Sequence, residues 1–99
     1  MRKRSKLEIV SDILLFIRRS GGRAKPTHIL YKANLSVPLL KSYLSELIRD
    51  EIIGRIAEGG RTVYTLTEKG ARFIGLLQRL NSMTQTIEIY KSKRPKRRV

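Results

Sequence analysis

The sequence predicts a mostly α-helical fold with one small β-hairpin. Three successive stretches place apolar residues three or four positions apart, as on one face of a helix, and a longer stretch near the end does the same. Before that last stretch the apolar residues alternate on both sides of a Glu-Gly-Gly-Arg sequence, which is typical of a hairpin turn. The predicted order is helix, helix, turn, helix, hairpin, helix, and 99 residues suffice for one domain.

The first helix is predicted to begin after Ser5 and to end at Gly21-Gly22. Ser5 and Glu8 have capping-box spacing, in which each side chain bonds the other residue's free backbone N–H. The inward residues recur at helical spacing: Leu7, Val10, Ile13, Leu14 and Ile17. A second apolar line beside them contains Ile9, Ile13 and Phe16, so we expect this helix to pack against two neighbours.

Two shorter helices follow, separated by a tight turn. The second begins near Pro26 and ends at Asn34, a residue that tolerates the left-handed backbone conformation. The third, predicted over about 36–50, begins at Ser36, whose hydroxyl can accept a bond from a free N–H of the first turn. Its inward residues are Leu40, Tyr43 or Leu44, Leu47 and Ile48.

The closing helix, capped by Thr67, is predicted to run from Glu68 to about Lys91 and to join two copies of the chain. Its outer apolar residues alternate between steps of three and four: Phe73, Leu76, Leu80, Met83, Ile87 and Tyr90. Ile74 and Leu77 form an inner stripe that can cover the body. We expect a homodimer through this outer stripe, supported by Ile9 and Phe16 of the first helix. The alternative is a helix that packs only on its own domain or frays beyond Asn81.

The charge of +14 is concentrated at the two ends of the sequence. Residues 1–6 hold four basic groups and residues 91–99 hold six, without any acid in either segment. A mildly basic body with two cationic arms is typical of proteins that bind a polyanion, most often nucleic acid. The alternatives are arms that only keep the protein in solution, and an anionic membrane surface, for which both arms lack Trp, Phe and Leu anchors.

Three motifs carry a resemblance to the winged helix-turn-helix superfamily: PTHILYKANLS, VPLLKSYLSELIRDEII and YTLTEKG. The chain is most similar to small archaeal winged-helix proteins that dimerise through a long C-terminal helix. Asn34 and Glu51 stand where glycines are usual in these motifs. The resemblance covers residues 5 to about 90 and implies a winged domain over 5–67 and a dimerisation helix over 68–91. The basic N-terminal arm over 1–4 and the basic tail over 92–99 lie outside it and are predicted from their charge.

The resemblance further implies that the third helix enters the DNA major groove and that the wing, about residues 58–62, contacts the backbone or minor groove. The groove is about 12 Å wide, and the compact side chains on one side of the third helix suit it. Lys41 is the strongest single candidate, for a guanine edge or a phosphate. The expected contact residues are Tyr31, Lys32, Ser36, Val37, Pro38, Lys41, Ser42, Ser45, Arg55, Arg61 and Thr62.

The predicted function is double-stranded DNA binding by a dimeric transcription regulator. The alternatives are an architectural protein with little sequence preference, and an RNA-binding or protein-docking module. We expect no catalysis, cofactor, metal site or small-molecule ligand, because the chain has no cysteine and His28 is its single histidine. The longest apolar run, 13–17, is far shorter than the ~20 residues of a membrane span. Without a signal-peptide pattern, we expect a cytoplasmic, nucleoid-associated protein.

Overall fold

The computed structural model describes residues 4–97, and within that range the side chains of residues 4–80, 82 and 83. The predicted order of helices and hairpin is confirmed, with one short strand added. The elements are α1 (Lys6–Arg19), β1 (Arg23–Ala24), α2 (Pro26–Ala33), α3 (Val37–Arg49), β2 (Ile53–Glu58), β3 (Arg61–Leu66) and α4 (Glu68–Arg97).

Local hydrogen bonds fix the helix ends at the predicted residues. The Ser5 N–H donates to Glu8 Oε1 at 2.7 Å and the Glu8 N–H donates to Ser5 Oγ at 3.1 Å, which completes the capping box of α1. α1 is followed by Gly21 and Gly22, whose φ angles of 83° and 90° turn the chain away. Ser36 Oγ accepts from the Leu39 N–H at 3.4 Å and so caps α3.

The sheet has three strands where the sequence predicted a two-stranded hairpin. β1 pairs antiparallel with β3, through Arg23 opposite Thr65, and the strand order is β1-β3-β2. A strand of two residues is too short to show alternation, so periodicity could not reveal it. The predicted hairpin is present, and its turn residues Gly59 and Gly60 both have positive φ, which type I′ geometry requires.

The core lies between α1, α2, α3, the sheet and the first half of α4. Its fully buried side chains are Ile13, Leu14, Ile17, Ile29, Ile53 and Ile74. Tyr64 is buried and Tyr43 packs against the core at half burial, as expected for non-stacking tyrosines. Leu7 departs from the prediction because it lies in the first turn of α1 beside Leu80, where no element covers it, and it is 51% exposed.

α4 has the two predicted stripes on its described side chains. Ile74 and Leu77 are buried against the body, whereas Leu76, Leu80 and Met83 are 57%, 54% and 61% exposed. Phe73 is half-buried against the core. The side chains of Ile87 and Tyr90 lie outside the described residues. The helix continues to Arg97 instead of ending near Lys91.

Two residues of the expected dimer and arm regions are held within the chain itself. Ile9 is 8% exposed and belongs to the core, so little of its surface remains for a partner, whereas Phe16 is half-buried. Arg4 was assigned to the free N-terminal arm, but its guanidinium bonds Asp12 Oδ2 at 2.7 Å and the Ala33 carbonyl at 2.6 Å. The structure therefore places Arg4 in the folded body.

Candidate nucleic-acid interface

One side of α3 is buried in the core, and the residues on its opposite side are exposed to solvent. Leu40, Leu44 and Leu47 are buried, which turns the opposite side of the helix to solvent. At about 100° per residue, that opposite side contains residues at intervals of four, three and four. These residues, all exposed, are Pro38, Ser42, Ser45 and Arg49, and we call them the α3 row.

Lys41 lies beside the α3 row, one residue before Ser42, and is exposed. It forms no ion pair with an acid of the described part of the chain. The neighbouring side chains of Ser42 and Ser45 are small, so they do not block the approach of a DNA duplex to Lys41. Lys41 is therefore free to reach an anion or a base edge.

The tight turn between α2 and α3 places α3 on the surface. Asn34 has φ 55° and ψ 55°, the left-handed conformation predicted for it, and its N–H donates to the Tyr31 carbonyl at 3.3 Å. The half-buried Leu35 donates its N–H to the Leu30 carbonyl at 3.3 Å. Tyr31, 84% exposed, and the exposed Lys32 form the last turn of α2 just before this bend.

The predicted contact residues of the wing lie on two opposite faces of the hairpin. Arg55 pairs with Tyr64 and Ala57 with Thr62, so Arg55 and Thr62 share one face. Arg61 lies on the other face, opposite Glu58 at the tip. Arg55, Arg61 and Thr62 are all exposed, and the structure does not gather them into one cluster.

Ion pairs bind two acids near this surface, Glu46 and Glu58, to cations of the same chain. Lys6 Nζ lies 3.0 Å from Glu46 Oε1 on α3, and Arg23 bonds the Glu58 carboxylate at the wing. The hydrogen bond to Glu46, with the charge of that carboxylate, raises the pKa of Lys6 above its ordinary 10.5. These pairs reduce the repulsion that Glu46 and Glu58 would exert on a phosphate backbone.

Arg49 is a further candidate site residue, which the sequence analysis missed. Its side chain is 73% exposed and is only loosely paired, at 4.0 Å, with Asp50. The sequence signal was its position, four residues after Ser45 and seven after Ser42 on the same face of α3. Arg49 supplies the α3 row with the guanidinium that it otherwise lacks.

The other predicted contact residues on α3, Ser36 and Val37, are exposed at its N-terminus.

Within the described residues there is no group of three His, Asp or Glu side chains placed to hold a metal ion. No helix in that part of the chain is both long and apolar enough to cross a membrane.

Comparisons with known proteins identify the fold. The sequence profile of the winged helix-turn-helix family matches residues 3–85. Sso10a-2, a DNA-binding protein from Sulfolobus solfataricus, superposes with a TM-score of 0.79 at 24% identity, over 91% of this chain and 92% of that one. A winged-helix DNA-binding protein from STIV gives 0.68 at 21% identity, over 79% and 90% of the two chains.

The oxidized form of MarR from E. coli is a third structural neighbour, with a TM-score of 0.72 at 19% identity. The match covers 84% of this chain but 60% of MarR, so the chain is the shorter of the two. No curated protein matches the sequence significantly.

Proposed function

Because the chain belongs to the winged helix-turn-helix family, we propose that it binds double-stranded DNA as a dimeric transcription regulator. The observation that carries the proposal is the α3 row with Lys41 beside it: an exposed, slim, cationic helix face that follows a tight turn. A helix of this kind fits a major groove about 12 Å wide. Sso10a-2 and the STIV protein, which share the fold, are DNA-binding proteins, and this supports the assignment.

In this proposal α3 enters the major groove and the remaining candidates fix its position. Lys41 and Arg49 reach base edges or phosphates, while Ser42 and Ser45 bond either. Phosphate contacts come from the N-terminus of α3 and the end of α2, through Ser36, Tyr31 and Lys32, with Val37 and Pro38 against the groove wall. Arg55, Arg61 and Thr62 of the wing contact the backbone or the minor groove.

The dimer of this proposal forms through the outer stripe of α4. Leu76, Leu80 and Met83 leave more than half of their side-chain surface exposed on one side of a long helix. A second copy of the same stripe would cover it, and the sequence continues the same spacing to Ile87 and Tyr90. Phe16 contributes to this interface in the proposal. Ile9 does not, because its side chain is already buried in the core of its own chain. A dimer presents two α3 helices, whose separation must match whole turns of the duplex.

A second candidate function is an architectural protein that coats or bridges DNA with little sequence preference. Residues 91–99 alone carry six basic groups, and such charge strengthens binding to any sequence. The two candidates share the same interface and differ in how strongly the α3 row discriminates between bases. In both, the protein acts without catalysis and is associated with the nucleoid in the cytoplasm.

Competition binding separates these functions. The protein is titrated against a duplex selected from a random pool, an unselected duplex of equal length and a single-stranded RNA, each at two salt concentrations. A regulator prefers the selected duplex by about a thousandfold or more, the range of specific binding, at both salt concentrations. Equal binding of both duplexes with a steep salt slope supports the architectural function. Preference for the RNA contradicts both.

A further inference from the structure

We propose that Lys6 of α1 contacts a DNA phosphate beside the α3 row, on the side away from the wing. The proposal rests on the DNA-binding function proposed above and adds to that interface a residue from outside the helix-turn-helix unit. It is carried by the ion pair between Lys6 and Glu46 and by the position of Glu46 around α3. Because two phosphate strands border a major groove, a helix seated in it has a phosphate strand on each of its two sides.

The ion pair places the Lys6 ammonium beside the α3 row. Lys6 Nζ lies 3.0 Å from Glu46 Oε1, and the Lys6 side chain is 65% exposed. Glu46 is four residues after Ser42 and three before Arg49, so it is their neighbour on the helix surface. Glu46 raises the pKa of Lys6 and the charge of Arg49 opposes this, because Arg49 is also near. The first turn of α1 therefore brings a cation next to the row.

The wing lies on the other side of the row. Ile48 lines a shallow pocket with Ile53 and Gly54, the first residues of β2, so the sheet packs on the Ile48 side of α3. Lys41 is seven residues before Ile48, about two turns, and therefore shares that side. Lys41 and Glu46 are five residues apart, or about 140° around the helix, with the row between them. Lys41 and Lys6 thus supply one cation on each side of the row.

Lys6 keeps bonding capacity for a phosphate while it is paired with Glu46. An ammonium has three N–H donors, and the bond to Glu46 uses one of them. An exposed ion pair of this kind adds little to stability, so its main consequence is where it holds the charge. Without Lys6, the Glu46 carboxylate would repel a phosphate on this side. With Lys6 present, a phosphate can bond the ammonium without displacing Glu46.

Duplexes with single neutral phosphates locate the contact. One phosphate at a time, on either strand, is replaced by a methylphosphonate, and binding weakens where a cation contacts the replaced group. At one position the unaltered protein should lose about fivefold in affinity at physiological salt, the electrostatic contribution of one phosphate contact. Lys6→Gln should be insensitive to that replacement. If no replacement loses its effect in Lys6→Gln, the proposal is overturned.

A cleavage reagent on the wing shows on which side of α3 this phosphate lies. An iron chelate that cleaves DNA is attached to Ala57→Cys, an exposed wing position outside the proposed contacts. The chain has no cysteine, so this thiol is unique. The phosphate assigned to Lys6 should lie across the protected major-groove segment from the cuts. A phosphate on the same side as the cuts contradicts the arrangement.

Glu46→Gln is the matched control, because it breaks the same ion pair from the other partner. Lys6→Gln should weaken binding about fivefold for every sequence and lower the salt slope by about 0.9, whereas Glu46→Gln should not weaken binding. A pair that only supports the fold would make both variants bind more weakly, and that result overturns the proposal. If the unaltered protein binds no duplex, the proposed DNA-binding function itself fails. Equal binding by Lys6→Gln and the unaltered protein refutes only the role of Lys6.

Discussion

The backbone N–H of Ile52 donates to the carbonyl of Leu47 at 2.9 Å, and this bond closes the C-terminus of α3. A second bond, from the Glu51 N–H to the Ile48 carbonyl at 2.9 Å, lies inside it. The two bonds form a Schellman motif, in which the residue after the cap takes the left-handed conformation. That residue is Glu51, with φ 62°, a conformation that glycine adopts far more readily than other residues.

We predict that Glu51→Gly stabilises the protein by about 0.5–1 kcal/mol. A non-glycine residue in the left-handed region costs about 1–2 kcal/mol, and the larger unfolded-state freedom of glycine offsets part of the gain. Chemical denaturation measures the difference in the free energy of unfolding. Glu51→Gln is the control, because it removes the charge but keeps the Cβ. Equal stability of the two variants contradicts a backbone origin.

The sequence predicted those parts of the fold that rest on local signals. The predicted helix caps and turn depend on bonds between residues only a few positions apart. The capping box of Ser5 and Glu8, the left-handed Asn34 and the cap at Ser36 are all present as predicted. Contacts between distant parts of the chain were missed. The bond from Arg4 to the Ala33 carbonyl spans 29 residues, and the pairing of Arg23 with Thr65 spans more, so no sequence period marks either of them.

The interface was predicted less completely than the fold because exposure depends on which side of a helix the core covers. The predicted contact residues on α3 are all exposed. Arg49 was overlooked because Glu46, Asp50 and Glu51 surround it in the sequence. In the structure Glu46 is paired with Lys6, and Arg49 lies on the α3 row.

For the α3 row, we predict that Lys41→Ala weakens duplex binding by about 1–3 kcal/mol if Lys41 contacts a base. Such a loss would be largest for the preferred sequence. If Lys41 contacts a phosphate, binding weakens equally for all sequences and the salt slope falls by about 1. Fluorescence anisotropy at several salt concentrations distinguishes the two. Lys25→Ala removes the same charge at the exposed N-cap of α2, outside the proposed contacts, and should have a smaller effect. Indistinguishable binding of the two variants would remove Lys41 from the interface.

For the outer stripe of α4, we predict that Leu76→Glu with Leu80→Glu yields a monomer. Two carboxylates at positions that a partner would bury cannot be desolvated without a large cost. Sedimentation velocity measures the change in mass, and weaker DNA binding should accompany it. The control is Gln78→Glu, an exposed position on the opposite side of the same helix, which should leave the mass unchanged. An unchanged mass of the double variant would contradict the proposed interface.

For the junction between the sheet and α4, we predict opposite effects of one added methyl group at two glycines. A Cβ at Gly70 would lie 2.1 Å from the Ile52 carbonyl oxygen and 2.8 Å from Leu66 Cδ1, whereas a Cβ at Gly75 would meet no atom within 4 Å. Gly70→Ala should therefore force the backbone apart, at a cost of about 1–3 kcal/mol. Gly75→Ala should stabilise α4 by about 0.5–1 kcal/mol, because alanine is the better helix former.

Thermal unfolding of the two alanine variants measures both effects against the unchanged protein. The junction is tight because the Thr67 hydroxyl lies 2.8 Å from the Ile52 carbonyl oxygen and accepts the Gly70 N–H at 2.9 Å. These bonds hold the start of α4 close to the Ile52 carbonyl, which the methyl group of Gly70→Ala would displace. Since α4 carries the proposed dimer stripe, Gly70→Ala should also weaken dimerisation, and Gly75→Ala should not. A gain in stability from Gly70→Ala would contradict the close approach of α4 to Ile52.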